Sequence, residues 1–97
     1  MRTKKDILAI LKEIKISLKR QYKVREIWLF GSVLRGEQNE NSDIDILVDF
    51  EDGADFFNLV GLGLFLEDKL GTKVDVVPKR SLREELKETV LAEAVAL

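Results

Sequence analysis

The sequence predicts an α/β fold: a small mixed sheet and about four helices in two layers. Three observations lead there. Three stretches carry apolar residues at helical spacing. Between them stand short apolar runs rich in β-branched and aromatic residues. Glycine, proline or a capping residue marks most of the junctions.

The first helix is expected from Thr3 to about Tyr22, where Ile7, Leu8, Leu11, Ile14 and Leu18 fall on one face. Thr3 followed by Asp6 forms a capping box, with Asp in place of the usual Glu. Glu26 to Phe30 reads as a buried strand ending at Gly31, and a short helix from Ser32 stops by Gly36. Glu37 to Ser42 is a polar loop. Ile44 to Phe50 is the second strand, with Ile44, Ile46 and Val48 on one face and Asp45 and Leu47 on the other. Asp55 then caps an apolar helix running to Leu70, with Gly71 at the position after its end. Gly61 and Gly63 weaken that helix by about 1 kcal/mol each relative to alanine, which points to close packing there. Lys73 to Val77 is a third strand, closed by Pro78. Ser81 and Glu84 form a second capping-box pattern. The last helix follows, with Leu82, Leu86, Val90 and Ala94 on its inner face. Trp28 and the Phe56–Phe57 pair read as core.

The 97 residues are read as one domain, 1–97, which buries only about 60–65% of the surface its unfolded chain would expose. Sixteen basic against eighteen acidic residues leave a formal charge of −2, which argues against bulk nucleic-acid binding. With no cysteine and no histidine, thiolate and imidazole ligands, disulfides and histidine bases are all excluded. Any bound metal must take oxygen ligands, which favours a hard cation such as Mg²⁺. The charged N-terminal segment is neither a signal peptide nor a membrane span, so a cytoplasmic location is the expectation.

The chemistry concentrates between residues 31 and 45. Gly31-Ser32 follows a strand and opens a helix, so backbone N–H groups are free for a phosphate and glycine removes the obstructing Cβ. The same dipeptide also suits an ordinary strand-to-helix turn capped by Ser32. Asp43 and Asp45 leave one face of a strand, their Cα atoms about 6.5–7 Å apart, within the gathering range of one divalent cation. The plainer alternative is a loop cap and a solvated strand residue. Against it, Asp45 stands in an otherwise apolar strand. Asp75 stands among valines in the third strand. If that strand lies beside the second, Asp75 meets Asp43 and Asp45, and three carboxylates can hold two Mg²⁺ ions; if not, it is an edge residue facing water. Arg35, about one turn after Ser32, could meet a phosphate or pair with Glu37 or Glu40. Lys73 and Lys79 are further candidates for nucleotide contact, against the plain reading of solvated lysines at a strand's ends.

Gly31-Ser32-x-x-Arg35-Gly36 followed by Ser42-Asp43-Ile44-Asp45-Ile46-Leu47-Val48 resembles the nucleotidyltransferase signature of the polymerase-β superfamily. In a chain of this length it resembles the minimal nucleotidyltransferase (MNT) domain, often the antitoxin partner of a HEPN-domain toxin. Leu34 stands where many members have a small residue. The resemblance implies that Asp43, Asp45 and Asp75 are the catalytic metal ligands, with Gly31, Ser32, Arg35 and Ser42 on the nucleotide. It further implies Mg²⁺-dependent transfer of AMP from ATP to a tyrosine of the partner toxin, in a homo- or hetero-oligomer. The alternative is a non-catalytic antitoxin that neutralises its partner by docking. Haloacid-dehalogenase-like phosphatases share the Asp-x-Asp pair, but theirs follows the apolar strand, and the glycosyltransferases that use it are far longer.

Overall fold

The computed structural model describes residues 3–35 and 43–97. Helix α1 (Lys4–Tyr22) starts where the capping box places it. The Thr3 hydroxyl accepts from the Asp6 N–H, and the Asp6 carboxylate accepts from the Thr3 N–H, both at 3.2 Å. It ends at Lys23, a non-glycine residue in the left-handed region at φ 57°. The loop after the second strand holds Lys23 there. Its carbonyl accepts from the Glu51 N–H at 2.8 Å, and its ammonium donates to the Gly53 carbonyl at 3.3 Å.

Strand β1 (Val24–Phe30) leads into a single helical turn, α2 (Ser32–Arg35). Strand β2 (Ile44–Phe50) follows, then α3 (Phe56–Leu70). Asp55 and Asn58 cap α3 reciprocally at 3.0 and 2.9 Å, and Gly71 closes it at φ 70°, a conformation glycine adopts without strain. Strand β3 (Val74–Pro78), a 3₁₀ turn (Lys79–Ser81), helix α4 (Glu84–Glu93) and the short strand β4 (Val95–Ala96) complete the order.

The sheet runs β3-β2-β1-β4, with β2 and β3 parallel and the other pairs antiparallel, so it is mixed as expected. The parallel pair is joined through α3, the crossover that parallel neighbours require. Helices α1 and α3 cover one face. Ile7, Leu11 and Leu18 of α1 and Leu62, Leu66 and Leu70 of α3 pack there against Ile27, Leu29, Ile44, Ile46 and Val48. Gly61 permits the close approach expected of it, since a Cβ there would stand 3.0 Å from the Tyr22 ring. At Gly63 the nearest atom, on Val76, would be at an ordinary 3.9 Å.

Three expectations need correction. Phe56 and Phe57, in the capped first turn of α3, are 69% and 81% exposed, while the residues α3 buries are Leu62, Leu66 and Leu70. Trp28 is half-buried but lies outside the core cluster, on the sheet face opposite Ile27 and Leu29. The Ser81–Glu84 box does not form. Ser81 closes the 3₁₀ turn instead, α4 begins after Arg83 with no side-chain cap, and none of its residues is buried, Leu86 being 46% exposed. Strand β4, absent from the sequence reading, pairs with β1 through Val95 and Ala96. Among the described residues no helix is long and apolar enough to cross a membrane.

Leu66→Ala should cost about 2–5 kcal/mol in urea denaturation, whereas Leu64→Ala on the exposed side of α3 should stay within about 0.5 kcal/mol.

Candidate active site

The face of the sheet away from α1 and α3 carries the carboxylates. In the parallel pair, Asp45 stands in register with Asp75. On its other side Asp45 is paired with Phe30 of β1. Residues in register project from the same face, and neighbouring strands lie about 4.8 Å apart. Phe30, Asp45 and Asp75 therefore form one row across the sheet. Asp43 leaves the same face two residues before Asp45. Its neighbour Ile44 donates its N–H to the Lys73 carbonyl at 3.0 Å, which carries the β2–β3 pairing up to this point. Asp45 is half-buried, while Asp43 and Asp75 are exposed.

The condition set on Asp75, that its strand lie beside the second, is met. Among the described residues no three acidic side chains form a ready-made metal cluster. The donor set still suits a hard divalent cation: it is all oxygen, and two of the carboxylates sit side by side on adjacent strands.

Gly31 ends β1 at φ 83°, in the left-handed region. Its carbonyl accepts from the Leu34 N–H at 3.1 Å and so begins the α2 turn. A Cβ on Gly31 would lie 2.9 Å from Cγ and 3.1 Å from Cβ of Asp45. Sequence reasoning assigned Gly31 to the approach of a phosphate. The structure adds a second demand, because the bare backbone also makes room for the Asp45 carboxylate. The Gly31 turn and the Asp-x-Asp pair, separate candidates in the sequence, are thus neighbours in the fold. Of Ser32 and Arg35 the structure describes only the backbone, in α2, and Ser42 lies outside the described residues.

The sequence profile of the nucleotidyltransferase domain matches residues 11–97. The chain belongs to this family. It is a nucleotidyltransferase. The chain is 45% identical over 95 residues to the protein adenylyltransferase MntA of Thermococcus cleftensis, covering 98% of this chain and 96% of that one. A solved structure described as a candidate minimal nucleotidyltransferase superimposes with a TM-score of 0.82 at 42% identity, over 93% of this chain and 92% of that one. The structure of a tri-AMPylated Shewanella oneidensis HEPN toxin in complex with its MNT antitoxin aligns with a TM-score of 0.65 at 29% identity, over 93% of this chain and 70% of that one.

Gly31→Ala should destabilise the nucleotidyltransferase by about 1–3 kcal/mol, since a non-glycine residue must then hold φ 83°. Removing the opposing carboxylate with Asp45→Ala should relieve part of that loss. A double-mutant cycle read by thermal melting should give a coupling of at least about 0.5 kcal/mol.

Proposed function

We propose that this nucleotidyltransferase is a protein adenylyltransferase and antitoxin that moves AMP from ATP to a tyrosine of a HEPN-type partner. The observation that carries this reading is the Asp45–Asp75 register pair with Gly31 seated against Asp45. Support for the adenylyl donor and the protein acceptor comes from the 45%-identical MntA and from the AMPylated HEPN complex. One domain carries the whole activity, and ATP as donor suits the cytoplasm.

In this reading Asp43, Asp45 and Asp75 hold Mg²⁺, and the residues present fit it by donor type. When bound, Mg²⁺ neutralises charge on the triphosphate. Gly31 lets the phosphate chain approach the backbone of the β1–α2 turn. Ser32, Arg35 and Ser42 contact the nucleotide. Asp75, exposed at the site, takes the proton of the acceptor hydroxyl as its oxygen attacks the α-phosphorus. The bond from that phosphorus to the bridging oxygen of the β-phosphate breaks, and pyrophosphate leaves with its electron pair. The tyrosine keeps AMP as a phosphodiester. With no histidine in the chain, catalysis rests on positioning and charge neutralisation.

A second reading, neutralisation of the partner by docking alone, is favoured by one observation. Phe57, Val60 and Leu64 form an exposed apolar stripe on α3, flanked by Phe56.

Asp43→Asn, Asp45→Asn and Asp75→Asn should each lower label transfer from α-labelled ATP on the order of 10²-fold or more, with melting temperatures close to wild type. Incubation with Mg²⁺, ATP and the product of the neighbouring gene, followed by mass spectrometry, should show AMP on a tyrosine of the partner. Full neutralisation of the partner by the Asp45→Asn protein would favour docking instead.

A further inference from the structure

Lys79 and Trp28 lie far apart in the chain, and the fold brings them together beside the carboxylate row. The Lys79 ammonium sits 5.4 Å from the centroid of the Trp28 ring. Trp28 is in register with Leu47, and Leu47 with Val77. That row is the next one down the same face from Phe30, Asp45 and Asp75, about 7 Å away along the strands. Leu47 is fully buried although it faces away from α1 and α3. The 3₁₀ turn packs against β2, and the Lys79 side chain runs from the end of β3 over to the indole on β1. Pro78, at φ −64°, ends β3 and sets this course. A lysine that keeps its stem along a protein surface and its charged head at an aromatic ring is a common disposition.

On this face Asp43, Asp45 and Asp75 stand with Lys73, two residues before Asp75, and Asp49 lies farther along β2. Asp49 is paired with Arg25 at 3.9 Å. A triphosphate placed there needs cationic partners from the chain as well as from metal. Both Lys79 and Trp28 are half-buried, and the Trp28 row adjoins the carboxylate row on this face. A cation resting on an indole is weakly held compared with an ammonium paired to phosphate, and the exchange leaves no buried charge unpaired.

We propose that Lys79 is a nucleotide-contacting residue whose ammonium leaves the Trp28 ring to pair with the phosphate chain of a bound nucleoside triphosphate. This rests on the adenylyltransferase reading above, and it names a determinant of substrate binding beyond the signature residues.

Trp28 is the one tryptophan in the sequence, so its fluorescence reports the exchange directly. Lys79→Met keeps an apolar stem of similar length and removes the charge. Lys79→Arg keeps the charge. Each protein is titrated with Mg²⁺–ATP and with adenosine while Trp28 emission is followed, and ATP affinity is measured independently by calorimetry. Wild type should show an emission change that saturates with ATP. Lys79→Met should bind ATP about tenfold more weakly and lose most of that change, with Lys79→Arg within about threefold of wild type. Adenosine should bind wild type and Lys79→Met equally. In AMP transfer, Lys79→Met should raise the KM for ATP more than it lowers kcat. Unchanged ATP affinity and KM in Lys79→Met, with wild type active, would overturn the role of Lys79 alone. So would an equal loss of adenosine and ATP binding, which would indicate a packing role. If wild type neither binds ATP nor transfers AMP, the proposal falls together with the adenylyltransferase reading.

Discussion

The parallel pairing of β2 with β3 is the constraint on which the rest depends. It aligns Ile44 with Val74, Asp45 with Asp75, and Ile46 with Val76. Side chains alternate between faces, so one register assigns both the core and the site. Ile44, Ile46 and Val48 go down against α1 and α3, and Asp45 is sent up beside Asp75. A slip of one residue would drive a carboxylate into the hydrocarbon core, at several kcal/mol for an unpaired charge. Hydrophobic burial thereby fixes the position of the chemistry. The core holds the register, and the register holds the two carboxylates on one row.

Gly31 ties the turn to this row. Its positive φ and its contact with Asp45 are two separate reasons for the absence of a Cβ. The first shapes the backbone where β1 passes into α2. The second lets the carboxylate of a neighbouring strand lie directly against that backbone. In the proposed reading a nucleotide has its phosphates at the turn and its metal at the aspartates. The proposed chemistry draws on the proximity of these groups more than on any one of them, since phosphoryl transfer depends chiefly on positioning and electrostatics.

The end of the chain follows a looser logic. Helix α4 buries none of its residues, and β4 extends the sheet by only Val95 and Ala96. Apolar spacing there does not translate into burial, because β4 pairs with β1 at the sheet edge and leaves α4 without an apolar surface to cover. The exposed stripe on α3 arises in a related way. One side of that helix meets the sheet through Leu62, Leu66 and Leu70, while Phe57, Val60 and Leu64 point outward. Periodicity marks an apolar helix as a core element, yet a helix apolar around most of its circumference can bury only the side the sheet reaches.

By itself the sequence determined the elements other than β4 and the 3₁₀ turn, and most of their limits. The Thr3–Asp6 box, the Asp55 cap with Gly71, and the apolar run from Ile44 to Phe50 act through neighbours a few residues away, so local physics suffices. It also marked Asp43 as one of an Asp-x-Asp pair, Asp45 and Asp75 as carboxylates within apolar runs, and left a metal only oxygen ligands. Tertiary structure alone decided which strands are neighbours, and with that the Asp45–Asp75 row, the seating of Gly31 on Asp45 and the crossing of Lys79 to Trp28. It also turned Phe56 and Phe57 outward and replaced the Ser81 cap with a 3₁₀ turn. Those outcomes depend on strand order and on the limited area one sheet can cover, and neither is encoded in the spacing of residues along a single element.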